Sequence, residues 1–165
     1  MKWKILLVCL VFAACSRSPK SAVAEMLAKS GSAVTGQISF VQQKDGVLVQ
    51  VALTGLTPGL HGFHIHENGD CSAEDASSAG AHFNPTSEQH GAPTAENHHV
   101  GDFGNVVADD SGAGKYERVL SFISLSGVNS IIGKSVVVHA DADDMAAQPA
   151  GNSGARVACG VIAVK

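Results

Sequence analysis

From residue 22 onward, apolar and polar positions alternate in short runs, and no stretch sustains the 3.6-residue apolar period of an amphipathic helix. Eight runs with period-two alternation or β-branched content read as strands: Ala22–Leu27, Ala33–Gln42, Val47–Leu53, His61–His66, Gly104–Ala108, Lys115–Ile123, Ser135–Ala140 and Arg156–Val164. Lys44-Asp45-Gly46, Thr57-Pro58-Gly59 and Asp110-Ser111-Gly112 supply the turn chemistry between them. Short strands at hairpin spacing predict an all-β fold, an eight-stranded antiparallel sandwich or flattened barrel. Two segments break the pattern. Glu67–His99 is long, polar and rich in His, and Asp141–Ala155 is rich in Asp and Gly. Structureless loops beyond about 12–15 residues are uncommon in compact domains and are usually functional or disordered. The first holds ligand-type side chains and a cysteine, so it is expected to be pinned by metal and disulfide. No internal repeat is present.

The N-terminus follows a different rule. Lys2 and Lys4 precede an apolar run from Ile5 to Ala14, too short for the roughly 20 residues of a membrane span. The run reads as the core of a signal peptide, residues 1–14. Phe12-Ala13-Ala14-Cys15 resembles a bacterial lipobox, with Phe12 where Leu is more usual. The resemblance implies lipid on Cys15, a tether over residues 15–21 and a folded domain over 22–165. Ser16 after the cysteine implies sorting to the outer membrane of a bacterial envelope, with the domain facing the periplasm. Ordinary secretion with cleavage near Ala14 is the other reading.

The 165 residues suit one domain. Lys plus Arg number 11 against 15 Asp plus Glu, a formal charge of -4, and losing Lys2 and Lys4 leaves 9 against 15, or -6. Such a chain lacks the basic surface of a sequence-blind nucleic-acid binder, and none is expected as partner. Of four Cys, Cys9 leaves with the signal and Cys15 takes lipid. Cys71 and Cys159 remain as an even pair in an exported chain, where a disulfide is expected.

Eight His change the picture most. His64 and His66 are two apart in a strand-like run, so both imidazoles share one face with Ile65 on the other. Their Cα atoms then lie about 6.5–7 Å apart, close enough for the rings to converge on one ion. Alone, that pair is weak evidence. His82, His90, His98, His99 and Asp102 follow closely, and His139 ends the run Ser135–His139. Imidazole suits copper and zinc, and the density of His is what points to metal. His61 is an odd number of positions from His64, so it is expected to face away from any metal and make a structural hydrogen bond. His98 is expected to point to solvent.

The ordered motifs together resemble the copper/zinc superoxide dismutase family. Gly62-Phe63-His64-Ile65-His66-Glu67-Asn68-Gly69-Asp70 is similar to its copper-ligand signature, and Gly151-Asn152-Ser153-Gly154-Ala155-Arg156-Val157-Ala158-Cys159-Gly160-Val161-Ile162 to its second signature. Ala81–Pro85, His90–Pro93 and His99–Asn105 are similar to its zinc loop. The resemblance implies a Greek-key fold and one copper and one zinc ion per subunit. It implies copper on His64, His66, His82 and His139, and zinc on His82, His90, His99 and Asp102, with His82 shared. It implies that Asp143 links a copper His to a zinc His, with Asp144 and Asp141 as alternatives if the loop is shifted. Arg156 is implied to dock superoxide beside copper, and His82 to take part in catalysis. Two superoxide anions would become oxygen and hydrogen peroxide, protecting the cell envelope. Family members dimerise through different faces, so a homodimer is one assembly the resemblance allows.

One departure stands out. Asp141–Ala155 holds three Asp and no Lys or Arg, although family members often carry guiding cations there. Lys115, Arg118 and Lys134 are the substitutes if they lie nearby. A periplasmic copper or zinc buffer without turnover is the competing reading, and it leaves Arg156 unexplained.

Overall fold

The computed structural model describes residues 18–165; the segment expected as a signal peptide, 1–14, and Cys15 lie outside the described residues. Eight strands appear in the order expected: β1 (Ser21–Ala28), β2 (Thr35–Gln43), β3 (Gly46–Thr54), β4 (Gly59–His66), β5 (Asp102–Ala108), β6 (Gly114–Leu120), β7 (Ser135–His139) and β8 (Arg156–Val164). Every pairing is antiparallel, and the sheet closes as β1-β2-β3-β6-β5-β4-β7-β8. Pairing of β3 with β6 and of β4 with β7 makes the connections cross over in Greek-key fashion. The only helix among the described residues is a single 3-10 turn, Ser77–Ala79.

Alternation explains the barrel. One face of each strand packs inward, and Ile38, Phe40, Phe63, Ile65, Phe103 and Ile162 are almost fully buried. Phe63 meets Phe103 and Tyr116 edge to face, with ring centroids 5.5 and 4.7 Å apart. Burying one such side chain contributes about 1.5–3 kcal/mol. β4 is buried on both faces from His61 to His66. Phe63 and Ile65 belong to the core, while His64 and His66 lie under the long loops. The histidines are therefore mounted on the outside of a rigid barrel wall.

Most strand ends shift by one to three residues from the expectation, and three of the shifts bear on the tether, the core and the site. β1 starts at Ser21, inside the segment expected as tether. β6 stops at Leu120, where its partner residue Val47 sits beside the start of β3, and the expected extension to Ile123 instead turns inward. Ile123, Leu125 and Ile131 from that connection are buried in the core. β5 begins two residues before Gly104, because Asp102 pairs with His64 across a register shift between Gly62 and His64. Gly104 has φ +76°, as glycine permits at a bulge, so it bends the strand rather than starting it. The bulge brings Asp102 beside the β4 histidines.

The loop from residue 67 to 101 is folded. Phe83 N–H donates to Ile65 O at 2.8 Å, Glu67 N–H to Ala81 O at 2.9 Å, and Gly101 N–H to Phe83 O at 2.8 Å. Cys71 and Cys159 form a disulfide, 88 residues apart in sequence, fastening this loop to β8. Both the backbone ladder and the disulfide pin the loop.

Candidate metal centre

His64 and His66 from β4, His82 from the long loop and His139 from the end of β7 each bring a ring nitrogen within 4.8 Å of the others. His82, His90, His99 and Asp102 form a second group by the same measure, and all seven residues are buried. His82 belongs to both groups. Among buried side-chain atoms, His64 Nδ1, His66 Nε2, His90 Nδ1 and His139 Nε2 have no hydrogen-bond partner. Leaving a buried polar atom unpaired costs about 1–3 kcal/mol, so four together need a partner of another kind.

The opposite nitrogens are committed. His64 Nε2 lies 3.2 Å from Asp143 Oδ2, His66 Nδ1 is 2.9 Å from Gly80 O, and His139 Nδ1 is 3.3 Å from Gly154 O. His90 Nε2 is 2.9 Å from Asp143 Oδ1. Metal-ligating imidazoles almost always hold their second nitrogen in this way, which sets tautomer and ring orientation. Asp143 thus touches one histidine of each group. Its neighbours Asp141 and Asp144 are exposed, and neither side chain is hydrogen-bonded to a histidine of either group.

Three ring nitrogens face one carboxylate oxygen. Asp102 Oδ1 is 2.9 Å from His82 Nδ1, 3.0 Å from His90 Nδ1 and 3.2 Å from His99 Nδ1. Asp102 Oδ2 accepts from Gly91 N–H at 3.0 Å and His99 N–H at 2.8 Å. One oxygen cannot satisfy three rings, but three imidazoles and a carboxylate match a tetrahedral zinc shell. Four imidazoles in the first group match copper. The residues present therefore fit both ions.

Electrostatics agree for the first group. Burial lowers His64 to about 4, against the opposing pull of its Asp143 hydrogen bond. Burial beside His64 lowers His139 to about 3, and burial also holds His66 well below its ordinary value. These rings stay neutral, as ligands must. His90 is also pulled down by burial, but the carboxylates of Asp102 and Asp143 outweigh that and push it up to about 9. Burial resists ionisation of Asp102, yet the His82 hydrogen bond and the close approach of His90 keep it ionised far below the usual carboxylate range. Asp143 is lowered to about 2 against its burial by contacts with His64 and His90.

A cleft of about 580 Å³ opens onto His66, His82 and His139, and Arg156 forms part of its wall. Arg156 Nη1 donates to Ala76 O and Nη2 to Gly80 O, both at 2.8 Å. Glu67 and Glu88 also line the cleft, and Arg156 is the only lysine or arginine there among the described residues. Lys134 reaches the rim, donating to Glu67 O at 3.1 Å with its ammonium 4.6 Å from the Phe83 ring centre. Lys115 and Arg118 line a separate groove with Leu60 and Met145, away from the histidines.

The leftover histidines fall outside both groups. His61 is 3% exposed, with Nδ1 2.9 Å from His139 O and Nε2 2.8 Å from Thr57 O, the structural role expected. His98 differs from the expectation. It is half-buried, packing edge-on to Phe122 at 4.4 Å with Nδ1 2.7 Å from His99 O, because the preceding loop folds over that aromatic. Two residues that the motifs include, but to which the sequence assigned no role, also shape the site. Asn105 Oδ1 accepts from Asp143 N–H at 2.7 Å, and its Nδ2 donates to Asp143 O at 3.2 Å. Gly151, at φ +73°, packs on the contact between Asp143 and His90, where a Cβ would collide with both. Neither has a ligand-type side chain, so the motifs alone do not give them these contacts.

A closed antiparallel barrel bearing two adjoining, buried ligand sets that share one histidine defines a β-barrel protein built for a pair of metal ions. The sequence profile of copper/zinc superoxide dismutase (SODC) matches residues 34–162. An extracellular superoxide dismutase [Cu-Zn] from Brugia pahangi is 43% identical over 153 residues, covering 87% of this chain and 76% of that protein. The crystal structure of the clock protein EA4 superposes with a TM-score of 0.83 at 45% identity, covering 90% of this chain and 97% of that one. The chain belongs to the copper/zinc superoxide dismutase family. It is an oxidoreductase that dismutes superoxide, with copper and zinc as cofactors.

Proposed function

We propose that His64, His66, His82 and His139 would hold the copper and that His82, His90, His99 and Asp102 would hold the zinc, with His82 serving both sets. The observation that carries this assignment is the sharing of His82 by two buried four-residue groups. Bound copper supplies the one-electron chemistry by which one superoxide is oxidised to oxygen and the next is reduced to peroxide, while zinc supplies fixed charge and shape. His82 faces Asp102 through Nδ1, and its Nε2, when not engaged by copper, would take a proton from water and pass it to the departing peroxide. The second proton comes from water. Arg156 attracts and orients the anion in the cleft, its guanidinium held by two carbonyls. Asp143 keeps His64 and His90 in their ligating tautomers.

The chain is also proposed to be exported, with residues 1–14 removed, Cys15 lipidated and the domain tethered to a bacterial outer membrane, facing the periplasm. The charge and hydropathy of residues 1–17 support that reading, and the extracellular relative is consistent with export. A homodimer is compatible with the family.

Copper and zinc content together with superoxide removal test the ligand assignment. His82→Ala should lower both metals and abolish turnover, whereas His98→Ala should retain both. Equal effects from the two substitutions would refute it.

A further inference from the structure

Gln148 lies in the loop between β7 and β8, its side chain largely exposed, yet its carboxamide makes a two-point contact with the backbone of His90. Gln148 Oε1 accepts from His90 N–H at 3.0 Å, and Nε2 donates to His90 O at 2.8 Å. That is the pairing a neighbouring strand would offer, supplied by a side chain 58 residues further along the chain. Neither backbone group of His90 has a backbone partner. The loop behind Gln148 is braced: Asp144 N–H donates to Gly151 O, Ala147 N–H to Asp144 O, and Gly151 N–H to Ala147 O, at 2.9–3.0 Å. The His90 ring is held from the same loop, through Asp143. One loop therefore grips His90 twice, by backbone and by ring, while Gly91 N–H is tied to Asp102.

We propose that Gln148 is a positioning residue for the zinc half of the centre: its carboxamide fixes the backbone of His90, and with it the direction of Nδ1 toward Asp102, so that zinc is retained. The inference rests on His90 being a zinc ligand. A Gln at this place would otherwise be an ordinary loop side chain bonding wherever it can. Such a bond would add a little stability without changing the ligand field.

The test uses the metal-loaded protein and Gln148→Met, which keeps the length of the side chain and removes both polar atoms. Zinc release to an excess of chelator should quicken about tenfold, the lower end of what loss of an outer-shell partner costs. The visible spectrum of protein with cobalt(II) in place of zinc should shift, and the His90 amide should exchange its hydrogen faster. Zinc release within twofold of the parent with an unchanged cobalt spectrum would overturn the proposal, even if thermal stability fell. His90→Ala is the separate control. If it kept zinc as firmly as the parent, the ligand assignment itself would fail, a result distinguishable from an inert Gln148.

Discussion

Removing the disulfide should disturb the site more than its stability cost alone implies. Cys71–Cys159 closes a loop 88 residues long, for which the chain-entropy treatment gives about 4.6 kcal/mol at 25 °C. Cys159 is fully buried beside Ala76, Ala79 and Val137, so replacing both cysteines by alanine adds a packing loss to that figure. The functional consequence follows from where the bond sits. Ala76 O and Gly80 O, which hold the Arg156 guanidinium, belong to the loop that Cys71 fastens to β8. Gly80 O also contacts His66 Nδ1, on the face of the ring opposite the unpartnered Nε2. Freeing the loop should therefore loosen the anion-docking group and one proposed copper ligand together. Urea unfolding of the double variant in chelator, followed by far-UV circular dichroism, should show at least about 4–5 kcal/mol less stability than the parent. Activity of the metal-loaded variant should fall at least several-fold under conditions where it remains folded. A loss below about 1 kcal/mol would refute the entropic treatment for this loop. Full activity in the folded variant would show that Arg156 is held without the disulfide.

Two further predictions concern pH and salt. In metal-free protein, His64, His66, His99 and His139 have lowered folded values, so the stability present above about 6.5 is lost as pH falls toward their folded values, at up to about 1.4 kcal/mol per unit for each ring. His90 is raised, so its contribution is full below about 6.5 and is lost as pH climbs through about 9. Thermal unfolding in chelator should accordingly give a midpoint that drops from pH 7 to 5 and, less steeply, from pH 7 to 9; a flat profile from 7 to 5 would contradict the burial of these rings. As for salt, Arg156 lines the cleft together with Glu67 and Glu88, and Lys134 reaches the Glu67 carbonyl beside it. Stopped-flow rates should fall only modestly between low and physiological ionic strength, and Lys134→Gln should flatten the dependence further. A steep salt dependence surviving in Lys134→Gln would place the steering charge elsewhere.

The strands were readable because a barrel wall has one dry face, and period-two alternation records it directly in Val47–Leu53 and Ser135–His139. The metal groups were readable in part. His64 and His66 follow from the same period, but assigning His82 to both groups depended on motif order, since its partners come from β4, β7 and the long loop. Fold boundaries failed where tertiary contact overrode local pattern. Gly104 looks like a place for a strand to start until the bulge at Gly62–His64 pulls Asp102 into register. Ile123 looks like more strand until the connection after Leu120 turns into the barrel core. The least legible layer is made of carboxamides and a glycine. Asn105 and Gln148 each pair with the donor and acceptor of a distant backbone, and Gly151 leaves room for the Asp143–His90 contact. Such residues have no period of their own, because their partners are set by the fold and not by neighbours in the chain. The ligands name the ions, whereas this outer layer determines how firmly the rings are aimed, and substitutions at Asn105, Gln148 or Gly151 can impair a site whose every ligand is intact.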